Sequence, residues 1–448
     1  MEKLIRKYNV PGPRYTSYPT VPHWDDTKHN QTAWTNSVIN CFQQGGGEVS
    51  LYIHLPFCES LCTYCGCTTR ITKNHSVEEK YITYLLKEWN IYKALLPAEP
   101  IIKEIHLGGG TPTFFAPANL QRLIHGILED SQLGHDYEFG FEGHPGNTSV
   151  EHLSALASLG FSRVSFGIQD FDPEVQETIN RHQTFEQVLE VTQLARQYGF
   201  KSINYDLIYG LPKQTVHTIT DTINKTIMLN PSRIAFYGYA HVPWIKKAQK
   251  SFEEHLPNAD ERLKMYQVGK YLLTNNGYHD IGMDHFAQPT DRLYQAFENG
   301  TLHRSFMGYT TQDSDLLIGL GMSSISDSWT AFNQNEKVLA KYYERLDANE
   351  LPIIKGHQLS EQDLTIRKHI LNLMCRFETS WETQEFIQLG DEYNVTLLNE
   401  LEADGLISWH SHGIKVLDKG KPFVRNVCMA LDPHLWKNEK ISAFSQTV

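Results

Sequence analysis

Four thiols fall within the ten residues CESLCTYCGC (58–67), out of seven in the whole chain. An odd count in a long chain with no export signal argues against a disulfide framework, and such crowding points to metal or redox chemistry. Cys58, Cys62 and Cys65 follow the spacing C-x3-C-x2-C. Three thiolates on one short loop can reach three irons of a cubane iron–sulfur cluster and leave its fourth iron open. A zinc knuckle completed by Cys67 or His54 is the alternative, although such knuckles usually draw on two separated pairs and this loop has no second pair. Cys41, Cys375 and Cys428 have no partner motif and read as core residues.

Other chemistry-bearing residues stand at the ends of β-rich runs. GGGTP (108–112) offers backbone that a ligand can approach closely, because glycine has no Cβ. Glu142 in FEGHP would suit a cationic amino group, or would simply be solvated. Gln169 in GIQDF, Arg181 in INRH and Asp206 in YDLIYG suit hydroxyls and a carboxylate. Their bland counterparts are a barrel-rim hydrogen bond, a helix-surface ion pair and a strand cap.

The elements that must position these residues repeat a rhythm. SLYIHL (50–55), IKEIHLGG (102–109), YEFGFEGH (137–144), RVSFGIQDF (163–171), SINYDLIYG (202–210) and RIAFYGYAHV (233–242) are β-rich, and amphipathic segments lie between them. Such alternation predicts parallel βα units, since a parallel pair needs a crossover. Polar or glycine residues at nearly every strand end favour an α/β partial TIM barrel over a doubly wound sheet. A helix is expected at 32–44 and another at 259–276. YHDIGMDHFA (278–287) is a candidate further strand at the barrel's edge, and residues 290–330 read as loop-rich. From about Leu359, helices and a hairpin in LISWHSHGIKVLDKG compose a mainly helical, winged-helix-like unit. The expected divisions are 1–48, 49–256, 257–357 and 358–448.

Lys+Arg 40 against Asp+Glu 52 leaves a net charge of −12, which argues against a nucleic-acid partner. No window reaches the ~18 apolar residues of a membrane helix, and MEKLIRKYNVPGPRY has no hydrophobic signal core, so a cytoplasmic protein with no membrane contact is expected.

CxxxCxxC after the first strand of a βα barrel resembles the radical S-adenosylmethionine (SAM) superfamily. The blocks YNVPGPRYTSYPT (8–20), LYIHLPFCESLCTYCGC (51–67), HLGGGTPT (106–113), SFGIQDF (165–171), NYDLIYGLPKQT (204–215), YAHVP (239–243), GMDHFA (282–287) and GYTTQ (308–312) resemble the oxygen-independent coproporphyrinogen III oxidase family. SDLLIGLGMSSIS and the C-terminal RNVCM extend the likeness over nearly the whole chain. The resemblance implies a radical SAM (β/α)6-type fold, with a [4Fe-4S] cluster on Cys58, Cys62 and Cys65 and two SAM molecules close together. It implies oxidative decarboxylation of two propionates of coproporphyrinogen III through a 5′-deoxyadenosyl radical, with protoporphyrinogen IX as product, in haem synthesis. A reducing electron donor and an electron acceptor are implied but not identified, and a monomer suits the family.

By the same resemblance, Tyr52, Tyr64, Gly109, Gly110, Thr111, Glu142, Gln169, Arg181, Asp206, Ala240 and Ile325 are SAM contacts. A core role competes at Ala240 and Ile325. Cys67 is a non-ligand thiol with a local catalytic role, or a small buried side chain. Gly143 and His144 depart from the Val-Asp that often follows the glutamate, and Met307 stands where some relatives have Gln. Four propionates call for basic groups, with Arg14, His54, His285 and Arg304 as candidates, and the N-terminal stretch is expected to gate the substrate cavity. Two other readings use the same scaffold: a haem-binding chaperone, and a radical SAM enzyme that methylates or opens a tetrapyrrole. The chaperones lack PGPRYTSYP, which this chain has. DNA binding through the C-terminal unit conflicts with the charge.

Overall fold

In the computed structural model, residues 2–24, 30–382, 385, 393–437, 444, 446 and 447 are described. Six parallel strands carry the predicted rhythm: β1 (Glu48–Leu55), β2 (Ile101–Gly109), β3 (Gln132–Gly143), β4 (Phe161–Gln169), β5 (Ser202–Tyr209) and β6 (Arg233–Gly238). β1 and β6 are apolar and buried over most of their length, as parallel strands covered on both faces are. The helices Val77–Leu95, Pro117–Leu128, Val150–Ser158, Phe185–Gln197 and Val216–Leu229 make the crossovers. Capping boxes start three of them, at Ser149, Thr184 and Thr215. Each cap is worth about 1 kcal/mol and fixes where a strand-end loop stops.

Two regions differ from the sequence expectation. YHDIGMDHFA forms two short strands, β7 (His279–Gly282) and β8 (His285–Ala287), paired antiparallel, with β8 antiparallel to β6. The stretch read as loop-rich contains β9 (Leu317–Leu320), which lies parallel to β1 on its other edge, with Tyr52 opposite Gly319. Antiparallel strands β10 (Ile325–Asp327), β11 (Ala331–Asn335) and β12 (Ile353–Gln358) continue from it. The result is a 12-stranded sheet ordered β12-β11-β10-β9-β1-β2-β3-β4-β5-β6-β8-β7, open at both edges and therefore a partial barrel. Buried Glu88 ties the added strands to the barrel by accepting from Gly321 N (2.8 Å), Asn335 Nδ2 (2.6 Å) and Tyr342 OH (2.7 Å).

The C-terminal unit contains the helices Glu361–Arg376, Val395–Ala403 and Val424–Ala430. A three-stranded antiparallel sheet of Glu378–Ser380, Gly413–Val416 and Ile407–His410 completes it. The helical reading of 383–392 lies largely outside the described residues. Ile5, Tyr8, Tyr15 and Tyr18 share one core with Ile366, Leu373, Val427 and neighbours of this unit. The N-terminal stretch is thus built into the C-terminal unit. The helix Gln31–Gln44, by contrast, packs Trp34, Val38 and Phe42 into the barrel core.

Candidate active site

The cysteine loop is anchored by backbone on one side and by side chains on the other. It leaves β1, and Phe57–Cys58 forms a short parallel ladder with Arg70–Ile71. The end of β2 clamps it, with Gly110 N donating to Leu55 O at 2.8 Å and Thr111 N to Phe57 O at 3.0 Å. A Cβ at Gly110 would stand 2.6 Å from the Pro56 carbonyl carbon, and Gly109 has φ +109°, so this clamp needs glycine at both positions. On the far side, Asn180 Nδ2 donates to Leu61 O (2.7 Å), Gln249 Nε2 to Tyr64 O (2.9 Å) and Lys246 Nζ to Cys67 O (2.7 Å).

A cavity of ≈ 540 Å³ opens beside this loop. Cys58, Cys62, Cys65, Cys67 and Tyr64 line one side, with Gly109, Gly110 and Thr111 beside them. Glu142 and Gln169 reach it from the ends of β3 and β4, Asp206 from within β5, and Arg181 from the segment after β4. Tyr52, Ala240 and Ile325 do not line it. Tyr52 shares a 3.1 Å hydrogen bond with His54 and stacks on His106, beside Glu142. Ala240 lines a neighbouring cavity, and its carbonyl accepts from Gln249. Ile325 is packed among Trp24, Phe332 and Leu359.

The charges in this cavity are held by specific partners. Burial works against ionising Glu142, but His106 at 3.4 Å and the Gly109 N–H at 3.2 Å outweigh it and keep the carboxyl below its ordinary range. Asp206 goes the other way: burial and then nearby Glu142 push it up to about 6, although Ser165 and Asn204 each donate to it at 2.9 Å. Arg181 Nη1 reaches Cys62 Sγ at 3.7 Å, while Nε and Nη2 grip the Gly167 carbonyl. Cys65 is pulled down to about 6, chiefly by a hydrogen bond from the Cys67 thiol, whereas burial pushes Cys58 up to about 11. The Cys67 backbone N–H also donates to Cys65 Sγ, at 3.4 Å. His144, at the departure from the family pattern, also lines the cavity; burial followed by Arg181 lowers it to about 3, so it is a neutral ring accepting from Gly146 N.

Among the described residues, no three Cys, His, Asp or Glu side chains converge on a point one metal ion could occupy. Cys58, Cys62 and Cys65 share one wall of the cavity, and three thiolates are the donor set of a cubane in which each takes its own iron. The donor set therefore fits a cubane held through Cys58, Cys62 and Cys65.

Sequence reasoning missed the polar network along β2 to β6. Arg163 lies 2.9 Å from Glu138 and 3.4 Å from Glu104, and Arg233 lies 2.5 Å from Asp291. Its signal was available as Glu104 and His106 alternating in an otherwise apolar strand, and as Arg163 and Arg233 at strand starts. Of the candidate basic groups, His54 and His285 are held neutral by burial. His54 is bonded to Thr68 O at 2.9 Å and His285 to Met283 O at 2.7 Å, so neither offers a positive charge.

A model of the radical SAM superfamily matches residues 52–226, from β1 into the helix after β5. The oxygen-independent coproporphyrinogen III oxidase of Synechocystis sp. is 38% identical over 100% of this chain and 97% of its own length. That of Escherichia coli is 38% identical over 99% of this chain and 98% of its own. A solved structure, the coproporphyrinogen III oxidase HemN from Escherichia coli, described as a radical SAM enzyme, covers 97% of this chain and 99% of its own at TM-score 0.91 and 36% identity. The chain belongs to the oxygen-independent coproporphyrinogen III oxidase family. As in that family's solved structure, the likeness spans the N-terminal stretch, the sheet and the C-terminal unit together. Family membership implies a 4Fe-4S cluster and SAM, which the cysteine loop and its cavity fit.

Proposed function

We propose that this protein is a coproporphyrinogen III oxidase that converts two propionates of its substrate to vinyl groups without oxygen. The observation that carries it is the convergence of the C-x3-C-x2-C thiols with Glu142, Arg181 and Asp206 on one cavity, in a chain alignable end to end with enzymes of that name. When bound, the cluster and SAM would supply one-electron cleavage of a sulfonium and an adenosyl radical able to remove a hydrogen atom from a propionate.

The chain's own residues hold and orient. Cys58, Cys62 and Cys65 are the proposed cluster ligands. Glu142, kept ionised, is matched to a SAM amino group, and Arg181 to a carboxylate. Asp206 and Gln169 are matched to ribose hydroxyls, with Ser165 and Asn204 fixing Asp206. Gly109, Gly110 and Thr111 let backbone approach the cofactor, and Tyr64 forms an aromatic wall beside the thiols. Tyr52 acts by steadying His54, His106 and hence Glu142. Cys67 keeps Cys65 as the thiolate a ligand must be. The family resemblance is the ground for placing two SAM molecules in this cavity.

The test is anaerobic reconstitution with iron and sulfide, followed by SAM, a reductant, coproporphyrinogen III and an electron acceptor. Stepwise loss of two carboxyl groups with formation of 5′-deoxyadenosine is expected. SAM cleavage with methyl transfer and no decarboxylation would replace this reading. SAM binding near two per chain supports the second SAM, and one per chain refutes it.

A further inference from the structure

Buried positive charge is tolerated where a counter-charge or a ligand matches it. Two groups of arginines near the cavity differ in this respect. Arg163 and Arg233, which line it, face Glu138, Glu104 and Asp291 within ion-pair distance. Arg14, Arg304 and Arg425 form the second group, and none of the three has an ion-pair partner among the described residues. They repel one another: burial, Arg14 and Arg304 all weaken the charge on Arg425, taking it down to about 10. Asp284 is the carboxylate beside them, and burial holds its own pKa up at about 6.

Their donors are used in a particular way. Arg425 gives Nε to Pro13 O at 2.8 Å and Nη2 to the Gly12 carbonyl, and Arg304 gives Nη2 to Arg14 O at 3.1 Å. Three consecutive carbonyls are thus gripped, while the Arg14 guanidinium makes no hydrogen bond to the described residues. It stands 5.8 Å from the ring of Tyr237, a wall residue of the main cavity. It also lines an adjoining cavity of ≈ 180 Å³ with Arg262, Asp284 and Arg425. Arg304, only 5% exposed, lies 4.7 Å over Tyr309 on the same wall, and its Nε and Nη1 are buried without a hydrogen-bond partner.

We propose that Arg14 is the anchor for a carboxylate of the substrate, with Arg304 and Arg425 as the positioning residues that fix it and leave the group with an excess of positive charge over Asp284. The ligand class is a tetrapyrrole propionate held at the Tyr237–Tyr309 wall while another is presented near the cysteine loop. The assignment rests on the reaction proposed above. It gives the N-terminal stretch a chemical purpose, delivery of Arg14.

The test uses the reconstituted holoenzyme with coproporphyrinogen III and four analogues, each with one propionate replaced by ethyl. Removing the carboxylate partner of a charge-assisted hydrogen bond is expected to raise the wild-type KM about ten- to a hundredfold for at least one analogue. Arg14→Gln should raise the KM for the natural substrate by a similar factor and add nothing further with that analogue. Cluster absorbance and SAM cleavage without substrate should match wild type. Arg304→Gln should show the same lost discrimination, and full discrimination there would overturn its positioning role. A KM in Arg14→Gln within twofold of wild type, or losses that multiply with every analogue, would overturn the anchor alone. Wild-type enzyme that cleaves SAM but decarboxylates nothing would overturn the reaction, and the anchor with it.

Discussion

Cys58, Cys62 and Cys65 are the proposed cluster ligands, and Cys67 donates a hydrogen bond to Cys65. Alanine at any one of the three should abolish the complete cubane, checked by iron and sulfide content and by the reduced-cluster electron spin resonance signal. A full signal in any of them would refute the ligand set. Asp206 gives a pH signature. Its folded pKa, about 6, exceeds the ~3.9 of an unfolded aspartate, so the folded chain binds the proton more tightly. Its contribution to stability is therefore complete below pH ~4 and lost as pH rises through about 6. In cluster-free protein, Asp206→Asn should melt close to wild type at pH 4 and above it at pH 7. A melting difference constant across that range would show that Asp206 is ionised throughout. The same variant should weaken SAM binding while leaving the cluster intact.

At the scale of elements, the site depends on how tightly the end of β2 meets the cysteine loop. Gly110→Ala places a methyl group 2.6 Å from one backbone atom of Pro56 and 2.7 Å from another, and backbone cannot swing aside as a long side chain would. Overpacking of this kind costs roughly 1–3 kcal/mol. Lower cluster occupancy and a lower melting temperature are expected together. Unchanged occupancy would mean that the loop can shift without the clamp. The strap from β6 works on the opposite side, where Gln249 and Lys246 hold Tyr64 and Cys67 by their carbonyls.

For the whole molecule, the N-terminal stretch is a structural member, and Arg14 on it borders the smaller adjoining cavity. Deleting residues 1–20 would remove Ile5, Tyr8, Tyr15 and Tyr18 from a shared core. At roughly 1.5–3 kcal/mol for each buried side chain, the loss rivals the stability of a domain. The deletion should therefore expose the C-terminal unit to protease and lower its melting temperature, besides ending decarboxylation. A truncated protein with wild-type melting and lost turnover would restore a pure gating role. The stretch brings Arg14 to 5.8 Å from the ring of Tyr237, a wall residue of the main cavity, and is fastened in the core of the C-terminal unit.

The amino-acid sequence alone determined the thiol spacing, the six-fold strand and helix rhythm, and the polar strand ends, because these depend on local periodicity and on residues close together in the chain. It placed Glu142, Gln169 and Asp206 near one site once the strands were taken as parallel. Tertiary structure alone decided the rest. Strands of three to six residues, such as β9 to β12, carry too little periodicity to be read, and they are specified by pairing with β1 and by Glu88. Whether a histidine is charged depends on burial, which left His54 and His285 neutral. Which arginines are matched depends on carboxylates far along the chain, and so Arg163 and Arg233 are in direct ion pairs while Arg14 and Arg304 make none among the described residues.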